Sequence, residues 1–480
     1  MTRHVIVIGG GISGLAAAHR LTELSRTGSP HLQVTLLEAS DRLGGVIATE
    51  HTHELLLELG PDSYITDKPA ALRLCERLGL TDRLIAPQHA GLRLYTVHRG
   101  ALTSLPEGFL LMAPTRVGSM LRSPLFSWGG KLRMAMEPTI PRRSDDGDES
   151  LASFVRRRLG REVLERVAQP LIGGIYASDP EALSVAATMP RFPAMERNHG
   201  SVILGTRRAQ QRRTQAADET GARWGLFVSI DGGMEVLVRS IEGALGPGTV
   251  RLGETVRELS FNPDTRRWSV ATGRAALEAD AVICTLPASA ASNALKTVDR
   301  KLAGELGAIP FSSTATVNLA YRRGDIAHPL DGYGFVVPHA ENRKIMACTF
   351  SSVKYAGRAP EDIALLRCFA GGALQPEVLD QPDESLEAQV REDVEALLGI
   401  SGSPTLCRTT RYADNMPQYN VGHLDRIERI AARLESFPTL ALAGKSYRGV
   451  GIADCIASGE EAAEGIVERL AFCLRNAKLA

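Results

Sequence analysis

The chain opens on an alternation of apolar segments and turns that is typical of an α/β fold. Val5 to Ile8 form a short apolar run, which predicts a buried strand, and this run leads directly into the turn Gly9-Gly10-Gly11-Ile12-Ser13-Gly14. A helix is predicted from Leu15 to Leu24, and a second strand from Val34 to Leu37 ends at Glu38. Strand, glycine turn, helix, strand and acidic residue follow one another as in a dinucleotide-binding βαβ unit.

Further pieces of the same α/β domain return late in the chain. Strands are predicted within 249–259, from Trp268 to Thr272 and within 279–286, where the run Ala-Val-Ile-Cys is typical of a buried parallel strand. A short strand from Thr439 to Ala443 and a helix from Ala453 to Leu470 close the pattern. The nucleotide-binding domain is therefore predicted to be discontinuous.

The regions between these pieces have a different pattern. Residues 95–190 are predicted to be mostly helical, with an exposed loop from Pro138 to Asp148, and the basic stretch Arg207 to Arg213 is predicted to be a solvated or mobile loop. Strands Thr314–Tyr321, Gly334–Val337, Ile345–Phe350 and Leu365–Ala370 and a helix at 384–398 are predicted next. We thus predict three domains: a nucleotide-binding domain (1–85, 225–295 and 405–480), a helical domain (95–190) and a substrate domain (190–224 and 296–404).

The glycine spacing indicates what the first turn binds. Gly9 permits the tight turn, Gly11 lets the backbone approach a pyrophosphate, and Gly14 lets the helix pack close to the strand. The helix N-terminus directs free N–H groups and partial positive charge at that pyrophosphate. Glu38 is expected to accept hydrogen bonds from the ribose hydroxyls.

The residues after Glu38 favour a flavin over a nicotinamide cofactor. Ala39-Ser40-Asp41-Arg42-Leu43-Gly44-Gly45 suits a longer loop around the diphosphate, with charge-assisted contacts from Arg42 and close backbone approach at the glycines. Taken alone, Arg42 would be a surface cation. The whole stretch resembles the FAD-binding start of the amine oxidase and protoporphyrinogen oxidase superfamily.

Charge and cysteine usage exclude several classes of function. The 480 residues carry 55 Lys and Arg against 55 Asp and Glu, a net charge of +0, which argues against a nucleic-acid partner held by bulk charge. The 7 cysteines are scattered without a CxxC pair, and the 11 histidines show no ligand spacing, so we predict reduced thiols and no metal. Because Met1-Thr2-Arg3-His4-Val5 enters a strand directly and no apolar run has spanning length, we predict a cytoplasmic protein.

Four further stretches make the resemblance more specific, and together they run nearly the whole chain in family order. The chain resembles the porphyrinogen oxidases in Glu58 to Ser63, Gly174 to Pro180, Met416 to His423 and Gly449 to Cys455. The resemblance implies an α/β fold: a Rossmann-like, p-hydroxybenzoate-hydroxylase-like FAD domain with an inserted α+β substrate domain and a helical domain.

The resemblance also implies the cofactor contacts. Carried over position by position, FAD should touch Gly9, Gly10, Gly11, Ile12, Ser13, Gly14, Glu38, Ala39, Arg42, Gly45, Gly60, Pro61, Asp62, Ser63, Val256, Tyr412, Val450, Gly451 and Ile452. Val256 suits an adenine pocket through its backbone, although it also suits a simple strand core. No Ser-His-Asp triad or paired carboxylates are expected, because the flavin N5 accepts the electrons.

The implied reaction is the six-electron oxidation of a porphyrinogen with O₂ as acceptor and H₂O₂ as product. A large, flat, apolar pocket with cations at its rim is expected. Its candidates are Gly174, whose missing side chain would admit a ring edge, Tyr355 as an aromatic against a pyrrole, and Lys68 as a propionate contact. A half-buried strand aromatic and a solvated lysine are the alternatives for Tyr355 and Lys68.

The exact substrate is open between coproporphyrinogen III and protoporphyrinogen IX. Protoporphyrinogen-type relatives carry an Arg directly before the strand aromatic, where this chain has Leu94 before Tyr95, and Arg93 would face the other way. This departure favours coproporphyrinogen III and haem b biosynthesis. A flavin amine oxidase or desaturase and a non-catalytic FAD or porphyrin carrier are the alternatives.

Two partners besides the substrate follow from the resemblance. The helical domain touches membrane in some relatives, so Phe109 to Pro114 and Leu121 to Trp128 are candidates for a weak peripheral membrane contact, although such residues are also ordinary core. A transient contact with the next haem-pathway enzyme is the second expectation.

Overall fold

The computed structural model describes residues 2–27, 31–88, 93–106, 109–110, 113–114, 117–145, 147–220 and 226–477. The strands, in chain order, are β1 (Arg3–Ile8), β2 (Leu32–Leu37), β3 (Thr49–Thr52), β4 (Leu55–Glu58), β5 (Tyr64–Ile65), β6 (Leu84–Ile85), β7 (Arg93–His98), β8 (Ala101–Ser104), β9 (Phe109–Leu110), β10 (Ala113–Pro114), β11 (Phe227–Ile230), β12 (Val250–Arg251), β13 (Val256–Asn262), β14 (Arg267–Thr272), β15 (Ala276–Ala279), β16 (Ala281–Cys284), β17 (Phe311–Arg322), β18 (Gly332–Val336), β19 (Ile345–Phe350), β20 (Ile363–Gly371), β21 (Leu406–Pro417) and β22 (Leu440–Leu442).

The α-helices are α1 (Ile12–Thr27), α2 (Ala70–Arg77), α3 (Val117–Arg122), α4 (Trp128–Ala135), α5 (Leu151–Arg158), α6 (Arg161–Val163), α7 (Gln169–Tyr176), α8 (Val185–Thr188), α9 (Arg191–His199), α10 (Val202–Thr220), α11 (Glu235–Ala244), α12 (Ala288–Ala294), α13 (Arg300–Gly307), α14 (Ser351–Lys354), α15 (Asp383–Leu398), α16 (His423–Leu434) and α17 (Ile452–Ala477). A π-helical segment, Leu164–Ala168, joins α6 to α7.

A five-stranded parallel sheet brings the predicted nucleotide-binding pieces together. Its order is β12-β2-β1-β16-β22, and all four neighbouring pairs are parallel. Helices α1 and α17 pack on one face, where Gly459 permits close contact because a Cβ there would lie 2.2 Å from the Ser13 carbonyl oxygen. The glycine turn and the segments after β16 and β22 therefore meet at the carboxyl edge of the sheet.

A seven-stranded sheet holds all four strands predicted between 311 and 370. Its order is β21-β17-β20-β19-β18-β7-β8, antiparallel except between β18 and β7. Helix α15 covers it, with Leu386, Val390 and Val394 in the shared core. β21 belongs to this sheet although its residues fall in the segment predicted for the nucleotide-binding domain; the domain limits stay a prediction.

The prediction that residues 95–190 are mostly helical is wrong at their start, where β7 and β8 form a hairpin. His98 pairs with Ala101, so the turn has two residues, Arg99 (φ +55°) and Gly100 (φ +76°). Positive φ at both turn residues is the requirement of a type I′ hairpin turn. An Arg-Gly pair is a weaker hairpin signal than Asn-Gly, so the sequence does not mark this turn clearly.

The prediction of a loop at Arg207–Arg213 is also wrong, because these residues continue helix α10. The helix begins at a strong cap: Glu137 accepts from the N–H groups of Val202 (2.8 Å) and Ile203 (3.3 Å), and Ser201 Oγ accepts from Leu204 N–H at 3.1 Å. The capping carboxylate comes from a residue 65 positions earlier in the chain, so the sequence around 207 carries no sign of it.

Helices α3 to α10 surround a separate apolar core that includes Phe154, Val167, Ile172 and Phe192. The loop predicted from Pro138 to Asp148 begins within a 3-10 turn, Glu137–Thr139. Its remaining described residues, 140–145 and 147–148, contain no helix or strand and are exposed or partly exposed, as predicted. Across the described ranges, none of the helices is both long enough and apolar enough to cross a bilayer.

Candidate functional site

A cavity of about 2700 Å³ lies between the carboxyl edge of the parallel sheet, the seven-stranded sheet and the helical region. The parallel sheet contributes the glycine turn, Thr285 to Pro287 and most of 444–455. The seven-stranded sheet contributes residues of β18 and β19, and the helical region contributes α7 and the segment 186–191. A cavity of this size accommodates a dinucleotide together with a large flat substrate.

The glycine turn is built as its spacing predicts. A Cβ on Gly14 would lie 1.8 Å from the Gly9 carbonyl oxygen, so only glycine allows the helix to start this close to the strand. Gly9 has φ +102°, a conformation that favours glycine. A Cβ on Gly11 would meet nothing within 4 Å, and Gly11 lines the cavity. The turn thus leaves an open cradle against its backbone, which fits a bound diphosphate.

Glu38 lies at the end of β2 and lines the cavity. Its carboxylate accepts from the Gly10 N–H at 2.6 Å and from the Ser40 N–H and hydroxyl at 2.8 Å each. The carboxylate is therefore held against the glycine turn by its own loop. Its contact with a ribose stays a prediction.

Arg42 is placed differently from its predicted role. Its guanidinium donates to the carbonyl oxygens of Leu43 (3.1 Å), Ile47 (3.1 Å) and Gly45 (2.5 Å), and neither Arg42 nor Ala39 lines the cavity. Arg42 shapes the loop that brings Gly44 and Gly45 beside the glycine turn, where the Gly44 N–H donates to the Gly10 carbonyl at 2.9 Å. Gly45 lines the cavity with φ +59°.

The loop Gly60 to Ser63 reaches the cavity through Pro61, Asp62 and Ser63, whereas Gly60 is packed against the Val46 carbonyl. Asp62 lies between two cations, Lys354 Nζ at 3.1 Å and Arg367 at 3.2 Å. Burial alone would raise the pKa of Asp62, but the charges of Arg367 and Lys354 outweigh burial and hold this pKa well below its usual range. The loop is thereby tied to the seven-stranded sheet.

The C-terminal stretch also lies where the sequence predicts. Val450, Gly451 and Ile452 line the cavity at the N-terminus of α17, after Gly449 with φ +90°. Ile12 and Ser13, from the first turn, line the same part of the wall. The sequence interpretation missed Thr285, Lys445 and Arg448, which also line it; only their place at the ends of β16 and β22 could have indicated them.

Like Ala39, Arg42 and Gly60, the predicted cofactor contacts Val256 and Tyr412 lie outside the cavity lining. Val256 begins β13 and packs against the apolar cluster around Leu259 and Trp268, which is the strand-core alternative. Tyr412 lies on β21, where its hydroxyl would be 3.6 Å from a Cβ on Gly60. Gly10 and Gly14 also lie outside the lining, where their missing side chains allow the close packing of the turn.

Among the predicted substrate contacts, Gly174 and Lys68 line the cavity, and their contact with a substrate stays a prediction. Gly174 lies near the end of α7, and a Cβ there would have ordinary contacts, 3.9 Å from Ala347 Cβ and 4.0 Å from Val336 Cγ1. Lys68 also lines the cavity, but its ammonium already pairs with Asp454 at 2.5 Å.

Tyr355 is not at the cavity surface, so its predicted contact with a pyrrole is wrong in this structure. The side chain is 1% exposed, and Lys354 Nζ lies 5.2 Å from its ring centre. The short helix α14 ends the strand alternation before Tyr355, so that Lys354 faces the cavity instead. Tyr333, on β18, is an aromatic that does line it.

Cations from several elements line the cavity. The expectation that Arg93 faces away from the site is wrong, because Arg93 and Leu94 both line the cavity; Arg93 pairs there with Asp331 at 3.2 Å. Arg122 and Arg448 line it with no acidic partner among the described residues. The described part of the chain shows no cluster of three potential metal ligands, and its six characterised cysteines are free thiols.

Comparisons with known proteins agree with this geometry. The family model for flavin containing amine oxidoreductases matches residues 12–467. The chain is 35% identical to the coproporphyrinogen III oxidase of Bacillus subtilis (strain 168), covering 96% of this chain and 97% of the relative. It is 33% identical to the protoporphyrinogen oxidase of Homo sapiens, covering 97% and 99%.

A solved structure gives the same result. The putative protoporphyrinogen oxidase from Exiguobacterium sp. 255-15 superposes with a TM-score of 0.84 at 31% identity, covering 97% of this chain and 99% of that one. The fold class, the resemblance and the FAD cofactor predicted from the sequence are thereby confirmed: the chain belongs to the flavin-containing amine oxidoreductase family.

Proposed function

We propose that this chain is an oxygen-dependent FAD oxidase that converts coproporphyrinogen III to coproporphyrin III in haem b biosynthesis. The observation that carries the proposal is the single continuous cavity, which has a diphosphate cradle at Gly11 and a wide wall around Gly174. Six hydrogens leave the substrate in three two-electron steps, and three O₂ become three H₂O₂. When bound, FAD supplies this redox chemistry, while the protein binds and orients.

The chain's residues divide between holding the cofactor and holding the substrate. The glycine turn, Glu38, Gly45 and Val450 to Ile452 are the residues that would hold FAD. Leu171, Val336 and Ala347 provide an apolar wall next to Gly174, against which a tetrapyrrole can lie flat.

The charge around the cavity supports coproporphyrinogen III over protoporphyrinogen IX. The former carries four propionates, and the latter carries two. Arg122 and Arg448 offer guanidinium groups without an acidic partner among the described residues, and Arg191 adds a third cation to the lining. Guanidinium groups bind carboxylates in a bidentate manner, so a substrate with more carboxylates gains more contacts.

The test is an aerobic assay of both porphyrinogens by porphyrin fluorescence with H₂O₂ measured in parallel. We expect kcat/KM to be higher for coproporphyrinogen III in the same buffer and detergent. Arg122→Met should raise KM for coproporphyrinogen III, whereas Arg161→Met, an exposed arginine paired with Glu165, should not. A higher kcat/KM for protoporphyrinogen IX would reverse the assignment, and binding without H₂O₂ would favour a carrier.

We further propose a cytoplasmic location with weak peripheral contact to the inner membrane face through the helical region. Trp128 is 77% exposed and Leu121 is 45% exposed, and Leu132 and Met136 continue the apolar surface along α4. Of the predicted stretch 109–114, residues 111–112 lie outside the described residues. Sedimentation with anionic vesicles should fall in Trp128→Ser; unchanged sedimentation contradicts the contact.

A transient contact with the next haem-pathway enzyme also stays a proposal, and it rests on the resemblance alone. Adding that enzyme should speed the appearance of its own product beyond what free diffusion of the porphyrin predicts. An excess of an inactive variant of that enzyme should abolish the gain, and equal rates in all cases would reject the contact.

A further inference from the structure

Lys445 is a cation in the cavity wall whose charge nothing in the described protein balances. It follows β22 and Gly444 at the carboxyl edge of the parallel sheet. Its backbone is fixed on both sides: the Tyr419 hydroxyl donates to its carbonyl oxygen, and Ser446 Oγ accepts from the Ala288 N–H at 3.1 Å. Its ammonium donates to the Asn415 side-chain oxygen at 2.6 Å, which is a neutral partner.

The acidic residues of the cavity lining are all engaged elsewhere. Glu38 accepts from the glycine turn, Asp62 pairs with Lys354 and Arg367, and Asp454 pairs with Lys68. Burial without a carboxylate lowers the pKa of Lys445 to about 8. A largely enclosed ammonium is expensive to keep unless an anion reaches it. The anion that compensates the charge of Lys445 must therefore belong to the molecule that fills the cavity.

The surroundings of Lys445 belong to the cofactor side of the cavity. A Cβ on the preceding Gly444 would lie 3.5 Å from the Ser13 hydroxyl, in the first turn of α1. Cys455, in the first turn of α17, is close enough to interact electrostatically with both Ser13 and Lys445. The predicted wall for the substrate, around Gly174, is built from α7, β18 and β19 instead.

We propose that Lys445 is a direct cationic contact of bound FAD, neutralising the negative charge that the cofactor brings into the wall. That charge is the diphosphate or, after reduction, the N1–C2 oxygen region of the isoalloxazine. Asn415 keeps the ammonium in place until the cofactor binds. Because Asn415 lies on β21, this contact also links the seven-stranded sheet to the cofactor. The inference rests on FAD as the cofactor and not on the identity of the porphyrinogen.

The test compares Lys445→Met, which keeps the length and removes the charge, with Lys445→Arg, which keeps the charge. Lys301→Met, on the exposed face of α13, is the matched control. Apoprotein is titrated with FAD at rising NaCl concentration, and the midpoint potential and sulfite-adduct formation of the holoprotein are measured. Thermal unfolding of each apoprotein shows whether the variants fold.

For a diphosphate contact, Lys445→Met should raise the Kd for FAD by about tenfold or more and flatten its salt dependence. For a contact with the reduced flavin, the same variant should lower the midpoint potential and weaken the sulfite adduct while Kd stays near that of the parent. Lys445→Arg should restore most of either effect. The inference is overturned if Lys445→Met matches Lys301→Met in Kd and potential, or if only KM for a porphyrinogen changes.

Discussion

The substitution Gly11→Ala separates cofactor binding from folding, because the space for the cofactor lies at Gly11 whereas the close packing of the turn itself depends on Gly14. A Cβ on Gly11 would meet no protein atom within 4 Å, whereas one on Gly14 would lie 1.8 Å from the Gly9 carbonyl oxygen. Gly11→Ala should therefore leave the apoprotein as stable as the parent, with a gain of up to ~1 kcal/mol from the reduced freedom of the unfolded chain. Gly14→Ala should destabilise the turn itself.

The same added methyl group should be costly once FAD is present. It would occupy the space that the diphosphate needs against the backbone, and overpacking of this kind costs ~1–3 kcal/mol. That range corresponds to an increase in the Kd for FAD of ~5- to ~150-fold. The measurement is a fluorescence titration of apoprotein with FAD beside urea unfolding of the same samples.

Gly243→Ala serves as the control, because it also meets nothing within 4 Å and lies on α11, away from the cavity lining. We expect it to change neither quantity by more than ~1 kcal/mol. If Gly11→Ala binds FAD as tightly as Gly243→Ala does, the diphosphate does not lie against Gly11 and the assignment of the cradle is refuted.

Three further substitutions test other parts of the structure. Glu38→Ala should weaken FAD binding by ~1–3 kcal/mol, because ribose hydroxyls and turn N–H groups lose their acceptor; an unchanged Kd would contradict the assignment. Arg158→Met leaves the buried carboxylate of Glu137 without its cation and should lower the free energy of unfolding by ~3–5 kcal/mol, whereas the exposed Arg156→Met should cost under ~1 kcal/mol; equal urea midpoints would refute this. Asp62 has a lowered pKa in the folded state, so its stabilising effect is complete above its unfolded pKa and is lost as the pH falls through acid values. Asp62→Asn should accordingly destabilise at pH 7 and flatten the acid limb of a stability-against-pH curve; parallel curves would refute it.

Local patterns were enough to predict the glycine turn and the strand that ends at Glu38, whereas the contacts of Val450 to Ile452 were implied by the family resemblance. The glycine turn and the strand ending at Glu38 are each contiguous in sequence, and each meets a local steric or hydrogen-bonding demand. Parallel strands bring their carboxyl ends to one edge, so these segments had to meet. For such features, the spacing in the sequence is enough to predict the position in the structure.

Features that depend on distant partners could not be predicted in this way. Helix α10 is capped by Glu137, which lies 65 positions earlier in the chain. The short helix α14 directs Lys354, and not Tyr355, toward the cavity. Arg42 follows the motif, yet its own loop carbonyls take its donors. The deciding contact is remote for α10, whereas Arg42 is placed by carbonyls of its own loop and Lys354 by the short helix that contains it.

The charge that faces the substrate also depends on contacts between residues that lie far apart in the sequence. Asp62 pairs with Lys354 across 292 positions, and Lys68 pairs with Asp454 across 386, so the lysine that the sequence marked for a propionate is already neutralised. Besides Lys445, the described lining residues that carry positive charge without an acidic partner include Arg122 and Arg448, which no motif singles out. Because an unpaired guanidinium gains more from a substrate carboxylate than a cation that must first leave its partner, these two arginines should decide how many propionates the cavity accepts. If these arginines bind the propionates as proposed, substrate preference depends on which cations the fold leaves unpaired, and relatives with the same FAD motifs can differ in it.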